Sequence, residues 1–203
     1  MEGTVRFTHI GLDKRMGWPS QKEHMSDNID YLKFYDSESY LINDVSEAFR
    51  KTGKLKPIDF MTMLIWKAER AKNYHKRRLA KLGGCTFAEA VSKLATGIYQ
   101  SANHKQRLEC LMGKWWFQLP TATAILTLLY PKDFTVFDWR VCGEVKIDYE
   151  PWYSKNFSDA VWDHYISFKK AVEEKGPQYL TLRDKDRFFI GRSNRRSIAE
   201  DCE

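Results

Sequence analysis

Apolar residues recur at helical spacing along almost the whole chain, and this pattern limits the possible folds more than any other feature. They fall three and four residues apart within residues 36–51, and the same spacing returns after Pro57, after Thr86 and after Ser158. The only strand-like alternation is the short run 145–149. The sequence therefore predicts an all-α fold of about eight helices.

Capping residues separate this pattern into individual helices. Thr86 and Glu89 have the spacing of a capping box, and Thr181 and Asp184 repeat that spacing before a final helix. Ser101 is a further candidate N-cap. We accordingly divide the chain into an extended N-terminal lead-in (1–28), a helical domain (29–191) and a polar tail (192–203).

Length and charge restrict the class of protein. The 203 residues suffice for one domain, or for two small lobes that share a core. The formal charge of +6 and the pI near 9.0 favour a polyanionic partner. The chain has no long apolar run and no apolar signal core near its start. We therefore expect a cytoplasmic protein without a membrane partner, associated with the nucleoid if the source is bacterial.

The sequence predicts neither a metal site nor a small-molecule cofactor. The four cysteines are scattered without a Cys-x-x-Cys pair, and no two histidines have the His-x-x-x-His spacing of a metal site. Neither the P-loop motif nor the Gly-x-Gly-x-x-Gly motif occurs. No Ser/His/Asp or Cys/His nucleophile arrangement stands out.

A basic segment, residues 67–81, is the first candidate binding feature. It carries seven Lys or Arg against one Glu in fifteen residues. A solvated helix face is the structural alternative, but the missing acidic residues favour phosphate contacts with nucleic acid. The candidate contacts are Lys67, Arg70, Lys76, Arg77 and Arg78. If this stretch is helical, Lys67 and Arg70 lie one turn apart and can line one cleft.

The second candidate feature is the run from Lys114 to Gln118, which includes Trp115 and Trp116. Two adjacent tryptophans project in different directions, so we expect no more than one of them in the core. An exposed aromatic residue between helices can stack on a nucleic-acid base. Packing of both rings between helices is the competing interpretation.

The third feature is Asp138, which ends a short apolar run. Pro120 suits the first position of a helix, Pro131 stops that helix, and Val136 and Phe137 are expected to be buried. Asp138 then lies where the next helix starts, followed by Trp139 and Arg140 in that helix. A carboxylate in this position can be a helix cap, an Arg partner or a catalytic group.

Together these residues resemble the helix-hairpin-helix superfamily of DNA glycosylases. Residues 119–126 match the second hairpin helix, and residues 136–141 match the segment that carries the catalytic Asp, with Asp138 located 18 residues after Pro120. The helix 60–70 and the segment 182–189 resemble bacterial members, so the similarity covers about residues 57–191. It implies a two-lobed helical bundle with a helix-hairpin-helix motif and a cleft between the lobes.

The resemblance implies a DNA glycosylase that flips a damaged or modified base out of double-stranded DNA and hydrolyses its N-glycosidic bond. Such an enzyme acts in repair or in defence against modified phage DNA. Asp138 is then the catalytic residue, and Arg140 pairs with it or with a phosphate. Trp66 and Trp139 are candidates for stacking on the base.

Two departures from the family pattern affect this expectation. The family's Gly-Val/Ile-Gly hairpin is replaced by Trp116, Phe117 and Gln118, so the basic segment has to compensate for the usual phosphate grip. Pro120 replaces the Schiff-base lysine of bifunctional members. That favours a monofunctional enzyme, although Lys114 and Lys67 are amines that could approach the sugar.

Two alternatives remain open on the sequence alone. The first is a helix-hairpin-helix DNA-binding module without catalysis, which the altered hairpin favours and the retained Asp138 disfavours. The second is an all-α RNA- or protein-interaction domain, in which residues 67–81 bind an acidic partner and Asp138 only caps a helix.

Overall fold

The computed structural model describes residues 35–202, and within that range every regular element is helical. The first helix, α1, has α-helical stretches Ser37–Tyr40 and Ser46–Thr52 on either side of a π-helical turn, Leu41–Val45. The others are α2 (Pro57–Ala68), α3 (Lys72–Gly83), α4 (Phe87–Gln100), α5 (His104–Glu109), α6 (Leu119–Leu129), α7 (Trp139–Val145), α8 (Asp159–Lys175) and α9 (Leu182–Asp201). The all-α prediction is confirmed, and residues 145–149 form no strand.

The predicted lead-in, residues 1–28, lies outside the described residues. None of the helices between residues 35 and 202 is long and apolar enough to cross a membrane.

The capping signals read from the sequence mostly mark real helix ends. Thr86 and Glu89 make both bonds of the capping box at the start of α4. Thr181 and Ser158 cap α9 and α8 by accepting backbone N–H groups with their hydroxyls. Ser101 does not cap α5. That place belongs to Asn103, whose side chain accepts a hydrogen bond from the Gln106 N–H at 2.9 Å.

The basic segment is not one continuous helix. Ala68 leaves helical geometry (φ −163°, ψ 86°), and a short 3-10 turn, Glu69–Ala71, connects α2 to α3. Lys67 therefore lies in the last turn of α2, whereas Arg70 lies in the connecting turn. The expectation that these two cations are one helical turn apart is wrong, because the break changes the direction of the chain between them.

The predicted boundary between residues 191 and 192 falls inside α9, which continues to Asp201. Arg192 and Arg196, placed in the polar tail by sequence, both form ion pairs with the buried carboxylate of Glu144 on α7. These ion pairs connect the last turns of α9 to α7. Hydrophobic periodicity does not detect them, because they join charged side chains.

Helix α6 is the central element of the core. All its residues except Thr121 are buried, and α1, α2 and α5 pack against it. Ala122 and Ala124 keep it thin, as the sequence predicts, so neighbouring helices approach closely. After α6 the chain turns and continues as an extended segment, residues 134–138, that leads directly into α7.

Candidate active site

The extended segment 134–138 is held by side chains from three helices. The Thr135 N–H donates to the Tyr165 hydroxyl of α8, which in turn donates to the Thr135 carbonyl, both at 3.0 Å. The Phe137 N–H donates to the Thr123 hydroxyl of α6 at 3.0 Å. A buried backbone that has no sheet partner needs such acceptors. The segment therefore has a fixed conformation at the point where Asp138 begins.

Asp138 is the N-cap of α7. Its Oδ1 accepts a hydrogen bond from the Arg140 N–H at 3.0 Å, and its Oδ2 lies 3.5 Å from Nζ of Lys67 at the end of α2. The two side chains are only 16% and 19% exposed. Partial burial reduces solvent screening, so the pair is stronger than an ion pair on the open surface. The carboxylate is both oriented and reachable.

Stacked aromatic rings lie to one side of this carboxylate. The Tyr149 ring stacks on Phe137, with centroids 5.3 Å apart, and Tyr153 stacks on Tyr149 at 5.2 Å. Burial, with the nearby negative charge of Asp138 as a second cause, raises the pKa of Tyr149 to about 12. Burial followed by the same charge also raises the pKa of the Cys142 thiol. Asp138 thus lies at the edge of a low-polarity, ring-lined wall.

A buried ionic network lies behind the segment. Asp186 of α9 has no exposed surface; it accepts the Val136 N–H at 3.3 Å and an Arg183 N–H at 2.5 Å. Burial raises the pKa of Asp186 despite the opposing effect of Arg183. Arg183 continues to Glu38 at 2.6 Å, and Glu38 accepts the indole N–H of Trp66 at 3.3 Å. Trp66, which the sequence predicts to stack on a base, is half-buried, and its indole N–H already donates to Glu38.

The two predicted aromatic anchors of the loop behave differently. Trp115 is 2% exposed and belongs to the core, so its prediction as a base-binding residue is wrong. Trp116 is 63% exposed and adopts a left-handed backbone conformation, φ 54°. Gln118 is exposed at the N-cap of α6, where its side chain makes no capping bond. Trp139, beside Asp138, is 58% exposed.

The predicted cations fall into separate groups. Only Lys67 reaches Asp138. The Arg140 guanidinium lies over the Trp139 ring, 5.3 Å from its centroid, so Arg140 reaches Asp138 through its backbone rather than its side chain. The remaining predicted cations, apart from the half-buried Arg78, are exposed: Arg70, Lys76, Arg77 and Lys114.

Sequence reasoning missed the residues that hold the segment. Thr123 and Tyr165 sit on the apolar faces of their helices, and a hydroxyl within an apolar stripe is a detectable signal, because a buried hydroxyl needs a partner. Asp186 stands next to Arg187 in a run of alternating charges, so nothing local distinguishes it from a surface residue.

One cavity lies away from Asp138, and the described residues hold no candidate metal site. A cavity of about 970 Å³ lies between α1, the loop 53–56 and α4, and Asp138 is not among its lining residues. Within residues 35–202 no group of three or more His, Cys, Asp or Glu side chains is placed to hold a metal ion.

The chain matches no known protein-family model, no curated protein and no solved structure. A proposal about its function therefore depends on the chemistry of the site itself.

Proposed function

We propose that the protein is a monofunctional DNA glycosylase that removes a damaged or modified base from double-stranded DNA, with Asp138 as its catalytic carboxylate. The observation that carries this proposal is the fixed placement of Asp138, a partly buried carboxylate at the end of a segment held by three helices, with Lys67 beside it. A plain helix cap needs only the bond to the Arg140 N–H; it needs neither the surrounding network nor a charged partner.

The chemistry follows from the charge that develops during bond cleavage. When the N-glycosidic bond breaks, positive charge grows on the sugar, and a preorganised carboxylate stabilises it. Asp138 also orients the attacking water, whose oxygen bonds to the anomeric carbon while its proton goes to the departing base. Lys67 pairs with the carboxylate in the free protein.

The surrounding surface fits a DNA partner. The chain has a net charge of +6, and its exposed cations cluster in the turn after α2 and along α3. The helix-hairpin-helix interpretation takes α5 and α6 as the two helices and residues 115–118 as the hairpin. Trp139 and Trp116 are exposed aromatic surfaces suited to stacking against bases.

The test is the release of bases by wild type and by Asp138→Asn. Duplexes carrying oxidised, alkylated, deaminated or hypermodified bases are incubated with each protein, and abasic sites are scored. Asn is as good an N-cap as Asp, so this substitution removes the charge and keeps the cap. We expect product from wild type on at least one panel and a loss of at least a hundredfold in the variant.

Asp36→Asn is the matched control, because Asp36 is also an N-cap, at the start of α1. Its activity should equal that of wild type. Salt-dependent DNA binding with no product on any panel would instead indicate a non-catalytic DNA-binding module. Absence of DNA binding at low salt would contradict both and favour the interaction-domain alternative.

A further inference from the structure

The loop 115–118, which leads into α6, uses part of its backbone within its own fold. The Phe117 N–H donates to the Leu111 carbonyl at 3.0 Å. Pro120, in the first turn of α6, has no N–H at all. These two positions offer no backbone donor to a phosphate, so a cationic side chain beside the loop strengthens any phosphate contact there.

Arg78 of α3 lies against this loop as an uncompensated cation. Its guanidinium carbon is 4.9 Å from the centroid of the Phe117 ring and 5.3 Å from that of Tyr74. Its Nε and Nη2 are buried without a hydrogen-bond partner, and among residues 35–202 no carboxylate pairs with it. The third guanidinium nitrogen, Nη1, is not among these buried atoms, so it is the one open to an anion, which would offset the cost of the half-buried charge.

A second unsatisfied polar group flanks the same ring. The Nδ1 atom of His75 is buried without a partner. The His75 ring lies 5.3 Å from Phe117, and burial, with Arg78 as a second cause, lowers the pKa of His75 to about 4. Neutral His75 can donate a hydrogen bond to an anion without adding charge.

We propose that Arg78, with His75 beside it, binds a backbone phosphate of DNA at the loop 115–118, where the Phe117 N–H is already engaged and Pro120 has none. This inference rests on the proposed function in taking DNA as the partner. The two flanking rings fix the plane of the guanidinium, so little side-chain entropy is lost when it engages a phosphate. Exposed Lys76 and Arg77 extend the positive surface along the same helix.

The test measures the salt dependence of DNA binding by fluorescence anisotropy, using a labelled 20-base-pair duplex between 50 and 200 mM salt. Arg78→Gln should weaken binding about tenfold. The slope of log K against log[salt] should become shallower by about 0.9, the value for one phosphate contact. Arg78→Lys should keep the wild-type slope and lose only a few-fold in affinity, because it retains the charge without the planar geometry.

Lys170→Gln is the matched control. It removes one positive charge from an exposed residue of α8 that is paired with Glu174, and its slope and affinity should match wild type. Melting temperatures establish that each variant is folded. If Arg78→Gln unfolds, Arg78→Lys decides: unchanged affinity overturns the proposal, and a few-fold loss at constant slope supports it.

The outcomes separate this site from the glycosylase proposal. A folded Arg78→Gln with wild-type slope and affinity overturns the phosphate site, while base release by the same protein leaves the catalytic proposal standing. An Arg78-dependent slope with no base release on any panel supports the site and contradicts the enzyme. A wild-type protein that does not bind the duplex at 50 mM salt overturns both.

Discussion

Trp116 combines two unfavourable properties in one residue. Its ring is 63% exposed, and its backbone lies in the left-handed region at φ 54°. That conformation costs an L-residue on the order of 1 kcal/mol, which glycine avoids. Tryptophan thus holds, at a cost in stability, the position where the resembling family has glycine. On the proposed function, stacking on a DNA base is the role that the exposed ring would serve.

We therefore expect Trp116→Gly to separate stability from binding. Relief of the backbone strain should leave the melting temperature unchanged or slightly raised, while affinity for duplex DNA should fall several-fold through loss of stacking. Lys146→Gly is the control for the backbone effect, because Lys146 is also exposed and has φ 59°. A Trp116→Gly protein that binds DNA as tightly as wild type would show that the ring has no role in binding.

Lys67 decides whether the proposed glycosylase is monofunctional. Pro120 stands where bifunctional relatives of the resembling family carry a lysine, but the Lys67 amine is 3.5 Å from Asp138. We expect no protein–DNA adduct after treatment with borohydride, and a loss of about tenfold in base release for Lys67→Gln, from the altered electrostatics near Asp138. An adduct that forms with wild type and disappears with Lys67→Gln would instead identify a lyase that uses this amine.

At the scale of elements, the backbone N–H groups of Thr135, Val136 and Phe137 in the extended segment 134–138 each bind one side-chain acceptor. Thr123→Val removes the hydroxyl that accepts the Phe137 N–H and leaves that buried donor unpaired. We expect a loss of about 1–3 kcal/mol in the free energy of unfolding, and a larger relative loss of base release. Denaturant titration and the base-release assay measure the two effects.

Thr127→Val is the matched control for this prediction. Thr127 is also fully buried on α6, but its hydroxyl donates only within the helix, to the Thr123 carbonyl at 2.8 Å. Its substitution should therefore leave base release near the wild-type level. Equal losses in the two variants would show that the segment is positioned by something other than the Thr123 hydroxyl.

Helix α3 packs on the loop 115–118 through His75, and titration of His75 makes the stability of the fold depend on pH. The unfolded chain has the ordinary His pKa of 6.5, whereas burial lowers the folded value to about 4. Between these values the unfolded state binds a proton that the folded state does not, so stability falls as the pH falls from 7 to 5. The expected loss in the free energy of unfolding is about 1 kcal/mol. This is less than the full pKa difference implies, because His75 is partly exposed to solvent.

Thermal melts at pH 7 and pH 5 measure this effect. The wild-type protein should lose more stability than His75→Gln over that interval, because glutamine does not titrate. An identical loss in both proteins would show that His75 titrates normally in the folded state.

The same elements show how far sequence reasoning reaches. Thr86, Ser158 and Thr181 predict helix starts correctly, because capping is a local interaction between residues three apart. The break at Ala68 has no such signal, because alanine is the best helix former; tertiary contacts of the last turn of α2, such as that of Lys67 with Asp138, accompany the change in direction. Local chemistry predicts helix ends, whereas contacts between helices decide where a continuous helical pattern is interrupted.

At the scale of the whole molecule, the site is assembled from parts that are distant in sequence. The sequence predicts Asp138 from its own segment and Lys67 from its charge. Their contact across 71 residues, and the bond from Asp186 to Val136 across 50, follow from packing that no spacing rule encodes. Residue types are therefore predictable here, but the network that orients Asp138 is not.

The last turns of α9, after residue 191, contribute to the stability of the domain. A chain that stops at residue 191, the boundary that hydrophobic periodicity indicates, loses Arg192 and Arg196, both bound to the buried carboxylate of Glu144. An unpaired buried charge destabilises a fold, and the half-exposed arginines moderate the effect to about 2 kcal/mol, or about 6 °C in melting temperature.

Glu144→Gln tests whether the buried charge is the cause. In the 203-residue chain this substitution breaks both ion pairs and should lower the melting temperature. In the chain that stops at 191 it removes the unpaired charge and should restore part of the lost stability, so the two changes are not additive. Arg195→Gln, on the same helix but without an ion-pair partner in the part of the chain that the structure describes, should have no effect. Additive losses would mean that the last turns of α9 stabilise the domain by contacts other than those with Glu144.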